Sequence, residues 1–199
     1  MEGQLSMRPL LLRAQAWWDA QRFDQPKWHL AAWPDQKVRH IQLHVVKALG
    51  KVVAALDGGA GAAAGIDLLA RVRDEVLPDV AIYRSQLINT IQERGVPIAS
   101  LFCPHGRMTF RSAADPLFRV VISLSRASAH LAAYIEPREH GTMSPASYIQ
   151  EAIQDLHDSA EALATYFAVD VVSAHQARLE ALLGAPLPAS LVERGRKDP

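Results

Sequence analysis

Apolar residues recur along this chain three and four positions apart, which is the period of a helix and not the alternation of a strand. The spacing predicts a short helix over 10–21, carrying Trp17 and Trp18. A proline-punctuated polar stretch, FDQPKWHLAAWPDQ, follows as an irregular arm. The clearest pattern lies over 38–56, where Ile41, Val45, Leu49, Val52 and Leu56 fall on one stripe. Asp57-Gly58-Gly59 supplies its stop, and GGAGAAAG reads as a flexible small-residue connector. A second long helix is expected over 66–92, kinked or restarted at Pro78, because proline lacks the backbone donor and crowds the preceding turn. Glycine and proline then break the pattern through RGVPIASLFCPHGRMTFRSAADP. Further helices are expected over 117–135, closed by Pro137, and from a Ser144-Pro145 cap to 167. A last one covers 172–183, after a joint at Val169-Asp170.

Strand-like alternation is nearly absent, so the expected fold is an all-α helical bundle. Residues 1–37 read as an N-terminal helix and Trp-rich arm, 38–187 as the bundle, and 188–199 as a flexible tail. Within the bundle, VRHIQLHVVKALGKVVAALD can be laid over LFRVVISLSRASAHLAAYIE. Ile41, Val45, Val52 and Leu56 then fall on Val120, Leu124, Leu131 and Ile135. The polar stripe His40, His44, Lys47, Lys51 falls on Arg119, Ser123, Arg126, His130, each set on one helical face. Glu75 and Asp79 fall on Glu151 and Asp155 after a slightly shorter loop. The bundle thus reads as two helix pairs, over 38–93 and 115–184, in a possible internal duplication; the alternative is an ordinary amphipathic period.

Composition narrows the function classes. The 199 residues are 49% hydrophobic, too apolar for a disordered chain. Twenty-one basic and 21 acidic side chains give a net charge of zero, so no bulk field holds polyanions and nucleic acid is disfavoured as a partner. No apolar run approaches the roughly 18 residues a membrane span needs, and the N-terminus makes a poor signal peptide, so a cytoplasmic setting is expected. Cys103 is the single cysteine, which leaves no intramolecular disulfide and no Cys-x-x-Cys zinc motif. Its neighbour His105 does not make it a nucleophile without a readable oxyanion site.

HVVKALGKVVAAL (44–56) resembles the first core helix of the MazG-like all-α nucleoside triphosphate pyrophosphohydrolases, which reads approximately E-E-x-x-E with Gly near the last Glu. EVLPDVAIYRSQLIN (75–89) resembles their second core helix: Asp79 stands at the Asp of E-x-x-D, and Asn89 at the Asn of Leu-Ala-Asn. DLHDSAEALATYFAVDVVSAHQARL (155–179) resembles the same helix and its sequel, through Leu163-Ala164, Val169-Asp170 and Arg178-Leu179, with Ala168 where Gly is usual. The resemblance implies a magnesium-dependent enzyme that cleaves nucleoside triphosphates to monophosphate and pyrophosphate, working as a homo-oligomer of helix pairs. Carboxylates four apart face one side of a helix and could share a divalent cation, so Asp79 and Asp155, with Glu75, Glu151 and Asp158, are the candidate metal or acid/base groups, the alternative being a solvated helix face. Contacts to a nucleotide or another phosphorylated small molecule fall on His44, Lys47, Lys51, Asn89 and Arg178.

The sequence departs from the family at 47, 48 and 51, where acids are expected and Lys47, Ala48 and Lys51 stand. Arg126, Ala127 and His130 occupy the second copy's positions. Glu75 lies one step from the expected acid, about 100° round the helix. Magnesium takes oxygen ligands, which a lysine cannot supply. Two readings therefore stand: a pyrophosphohydrolase relative, and a non-catalytic binding or scaffolding protein of the same fold without the metal site. The basic stripe admits a matching pair, contact with phosphates or pairing with Glu75 and Asp79 across the bundle. The tryptophans of the arm could stack on a base or pack against the bundle.

Overall fold

The computed structural model of the chain describes residues 9–23, 36–58, 62–93 and 115–188. The fold is an all-α helical bundle, with no strand among the described residues. Its helices are α1 (Pro9–Phe23), α2 (Gln36–Asp57), α3 (Ala62–Arg71), α4 (Leu77–Glu93), α5 (Pro116–Glu139), α6 (Ser147–Phe167) and α7 (Val171–Leu183). No helix is long and apolar enough to cross a membrane among these residues.

Four elements form a ring: α2 packs on α5, α5 on α6, α6 on α4, and α4 returns to α2. Charged contacts fix the directions. Arg39 at the start of α2 meets Glu139 at the end of α5, and Lys51 late in α2 meets Glu75 just before α4. His130 in α5 meets Glu151 early in α6, so neighbours around the ring run antiparallel. Each helix of the first proposed pair thus lies beside its proposed counterpart in the second. The core fills the ring with Ile41, Val45 and Val52 from α2, Leu124 and Leu131 from α5, Ile153, Leu156 and Leu163 from α6, and Leu87 and Ile91 from α4. Of the predicted α2 stripe, Leu49 and Leu56 are only partly buried, and Val38, Ala48 and Ala55 complete the face. Helices α1 and α7 lie outside the ring, against α4.

Several expectations about boundaries change. The GGAGAAAG segment is not all connector, because α3 begins at Ala62; alanine is the strongest helix former. At Gly58, at the end of α2, an added Cβ would lie 2.6 Å from Leu68 Cδ1, so a larger residue there requires that side-chain end to shift. The irregularity expected at Pro78 takes the form of a π-helical turn over Val72–Val76, in which Leu77 N–H bonds the Val72 carbonyl five residues back. That wider turn stands directly before the proline, whose ring would otherwise crowd the carbonyl four residues behind it.

Pro137 does not close its helix. It sits in the last turn of α5, which runs on to Glu139, and the end is satisfied by Thr142 N–H donating to the Pro137 carbonyl at 2.9 Å. Ser144 does not cap the next helix either. Its hydroxyl donates to the Tyr134 carbonyl at 2.6 Å, and α6 starts at Ser147. Asp115 caps α5 before Pro116, accepting from Leu117 N–H at 2.8 Å. Asp170 caps α7 in the same way through Ser173 N–H. The joint between α6 and α7 is made by Ala168 in the left-handed region, φ 54°, with Val169 N–H closing on the Ala164 carbonyl. Much of the expected arm, the long loop with Cys103 and His105, and the end of the tail lie outside the described residues.

Candidate functional site

The amphipathic period that buries Ile41 and Val45 carries His40, His44, Lys47 and Lys51 on a polar face of α2. The antiparallel run of α4 brings Glu75, Asp79 and Tyr83 alongside, at successive turns of one helical face. The short joint after α6 aims α7 back across α4, which delivers Arg178 from the far end of the sequence.

In the first pair, Lys51 Nζ lies 2.5 Å from Glu75 Oε2, and Arg71 Nε lies 3.5 Å from its other oxygen. The Lys51 hydrogen bond is the main reason the Glu75 carboxyl is held below the usual carboxylate range. Asp79 Oδ1 accepts from Arg178 Nε at 2.8 Å, joining α4 to α7. Tyr83 Oη lies 3.0 Å from His44 Nδ1, and the His44 ring in turn lies 4.4 Å from that of His40, centre to centre. Burial first, then the Asp79 charge, pushes the Tyr83 phenol up, so it keeps its proton. Burial and the charge of Lys47 lower His44, while burial and His44 lower His40. The neutral His44 ring can therefore accept from the Tyr83 hydroxyl at Nδ1 and carry its own proton on Nε2. Lys47 is exposed and has no ion-pair partner among the described residues.

In the second pair, His130 stands between two carboxylates. Its Nε2 lies 2.9 Å from Glu151 Oε2, and its Nδ1 lies 3.1 Å from Asp155 Oδ2 without the alignment of a hydrogen bond. Arg126 Nε approaches Asp155 Oδ1 at 3.4 Å. Asp155 is only 3% exposed, and burial raises its carboxyl to about 6 against the opposing pull of Arg126 and His130. Lys51 with Glu75, and His130 with Glu151, are contacts between positions that correspond in the two proposed copies.

Of the expected metal ligands, Glu75, Asp79, Glu151 and Asp155 are thus placed, each against a basic side chain. Magnesium needs several oxygens around one point. An ammonium stands against Glu75, a guanidinium against Asp79, and an imidazole against Glu151 and Asp155. The donor set in this arrangement does not fit magnesium. Among the described residues, no group of three or more His, Cys, Asp or Glu side chains could hold a metal ion.

Of the expected phosphate contacts, His44, Lys47 and Lys51 share the α2 face, and Arg178 flanks it through Asp79. Asn89 lies elsewhere. It is 6% exposed, and its amide donates to the Leu12 carbonyl of α1. Trp18 of α1 packs on a small apolar cluster with Tyr83. Sequence reasoning missed Tyr83, although it stands four residues after Asp79. It also missed the buried polar groups Gln15, Asp19, Arg84, Gln86 and His175, for which the Gln15/Asp19 spacing on one face of α1 was the available signal. No family model matches the chain, and neither a curated protein nor a solved structure does.

Proposed function

We propose that this protein is a non-catalytic helical binding module for a phosphorylated small molecule, a nucleotide in the first instance, on a bundle resembling the MazG-like pyrophosphohydrolases. The observation that carries the reading is that Glu75, Asp79, Glu151 and Asp155 each lie against a basic side chain of the chain itself. A carboxylate already paired with lysine or arginine has little left to offer a divalent ion. Exposed Lys47, with Lys51 and Arg178 nearby on the α2–α4–α7 cluster, supplies the charge and the donors a phosphate takes. The tandem helix pairs would then be a duplicated half of an ancestral dimer.

The reading also favours a homo-oligomer in a cytoplasmic setting. Leu43, Val46 and Val53 project from the outer side of α2 with 58%, 47% and 45% exposure, on one stripe a second copy could cover.

The test is paired. Pure protein is incubated with a panel of nucleoside triphosphates and magnesium or manganese, and pyrophosphate is measured. Binding of the same nucleotides is followed by calorimetry in a chelator. The expected result is no turnover, with binding in the chelator that Lys47→Glu weakens at least tenfold. Metal-dependent pyrophosphate release that is lost in Asp79→Ala would overturn the reading in favour of an active pyrophosphohydrolase. Neither turnover nor binding would overturn it in favour of a scaffold.

A further inference from the structure

Helix α1 is seated differently from the rest of the molecule. It packs against α4 and α7, and polar side chains make much of the seat. Asp19 Oδ1 accepts from Gln15 Nε2 on its own helix and from Gln86 Nε2 on α4, both at 2.8 Å. Lys37 of α2 holds the other oxygen at 3.0 Å. Gln15 Oε1 lies 3.1 Å from His175 Nε2 on α7, and Asn89 of α4 donates to the Leu12 carbonyl. The seat has an apolar part as well, and Leu12 packs on the main core. Ala14 and Trp18 meet Ile82, Leu179, Leu183 and Leu187 in a cluster apart from the main core.

Each polar contact can be exchanged for one with water at little net loss, whereas a helix of the ring cannot leave without exposing large apolar side chains. Apart from the Leu12 contact, detachment of α1 therefore leaves the main core of the ring in place. Two threads run from this seat to the α2–α4–α7 cluster. Tyr83 belongs to the apolar cluster under Trp18 and also meets His44 through its hydroxyl. Helix α7 carries His175 against α1 and, three residues on, Arg178 against Asp79.

We propose that α1 is a releasable latch, pinned by Asp19, whose seating on α4 and α7 holds Tyr83 and Arg178 in place and so regulates the α2–α4–α7 cluster. Control of ligand affinity rests on the binding reading above; release of the helix and its effect on Tyr83 and His44 do not. Linkage makes the control reciprocal: a ligand that needs Tyr83 and Arg178 in position holds α1 down.

All four tryptophans, Trp17, Trp18, Trp28 and Trp33, precede α2, so their fluorescence reports the N-terminal part while far-ultraviolet ellipticity reports the whole bundle. In a urea titration of the full chain, the fluorescence midpoint should come first. Asp19→Ala should move it to lower urea and leave the main ellipticity transition in place. Coincident midpoints in both proteins, moving together, would overturn the latch. Should Asp19→Ala fail to fold, amide exchange in the unaltered protein decides: α1 amides should exchange at least tenfold faster than those of α5 and α6, and equal rates would overturn the proposal.

The coupling is read from imidazole resonances. In Asp19→Ala, His44 should shift and His130 should not; an unmoved His44 would remove the link to the cluster. Inorganic pyrophosphate is the ligand probe, and where it binds it should slow α1 exchange severalfold. Binding with unchanged exchange would overturn the control of affinity. Failure of pyrophosphate to bind would count against the binding reading and that control alone, since exchange and the His44 resonance judge the latch independently.

Discussion

Asp79 and Arg178, 99 positions apart in the sequence, form a partly buried ion pair that joins α4 to α7. Arg178 Nε donates to Oδ1 at 2.8 Å, while its second contact, from a terminal nitrogen to Oδ2, is stretched to 3.5 Å. The geometry is directional at one oxygen and loose at the other, so the pair anchors α7 while leaving part of the guanidinium for other partners. Asp79→Ala is expected to cost about 1–2 kcal/mol in chemical denaturation. A double-mutant cycle with Arg178→Ala should return a coupling of about 1 kcal/mol. Additive losses would mean that the two side chains do not hold one another.

Lys51 of α2 lies opposite Glu75. Lys51→Glu should set two carboxylates face to face and lower stability by about 1 kcal/mol. Millimolar magnesium or calcium should restore part of that loss in the variant and do nothing for the unaltered protein. Thermal melts with and without the divalent ion check this. A variant indifferent to the ion would show that position 51 does not decide between paired charge and metal.

Burial acts in opposite directions on two titrating groups. It lowers His175 from 6.5 to about 4, with Arg84 adding to the effect, so the unfolded chain takes up a proton that the folded one refuses. Stability from this group is complete above about 6.5 and falls by about 3 kcal/mol as pH drops toward 4. Asp155 is raised from 3.8 to about 6, so its contribution is complete below about 4 and falls by a similar amount as pH rises toward 6. The two slopes nearly cancel between pH 4 and 6. Removing one titration should reveal the other: His175→Gln loses stability as pH rises through that window, and Asp155→Asn gains it. Urea midpoints across the window are the measurement, and parallel curves for the two variants would contradict the assignment.

Ala168 closes α6 at φ 54°, a backbone region that costs an alanine and is open to glycine. Ala168→Gly should therefore stabilise the protein by about 0.5–1 kcal/mol, and an isothermal denaturation suffices to see it. No gain would mean that the turn does not hold this conformation in solution.

Much of the architecture is legible in the sequence because local rules govern it. The α2 stripe, the stop at Gly58, the disturbance ahead of Pro78 and the joint at Val169-Asp170 all follow from a few neighbouring residues. The misplaced boundaries fall where a distant partner intervenes. Ser144 has the makings of a cap, but Tyr134 offers its hydroxyl a buried carbonyl ten residues away. The site divides along the same line. Face sharing and pairing of charges between adjacent helices could be read from spacing, as for Lys51 with Glu75. Tyr83 against His44, and Asp19 at the junction of three helices, depend on how α1 and α7 return to the bundle, which no local pattern specifies. Nor does the Asn89 match foretell that its amide is spent on α1.

The central claim is that the chain's own basic side chains occupy the place of a metal. Titration of magnesium, and then manganese, into the pure protein by calorimetry, with and without a nucleoside triphosphate, tests it most directly. The account predicts no saturable heat from the ion alone and nucleotide binding that a chelator leaves intact. A stoichiometric divalent site that disappears in Glu75→Ala or Asp79→Ala would contradict it.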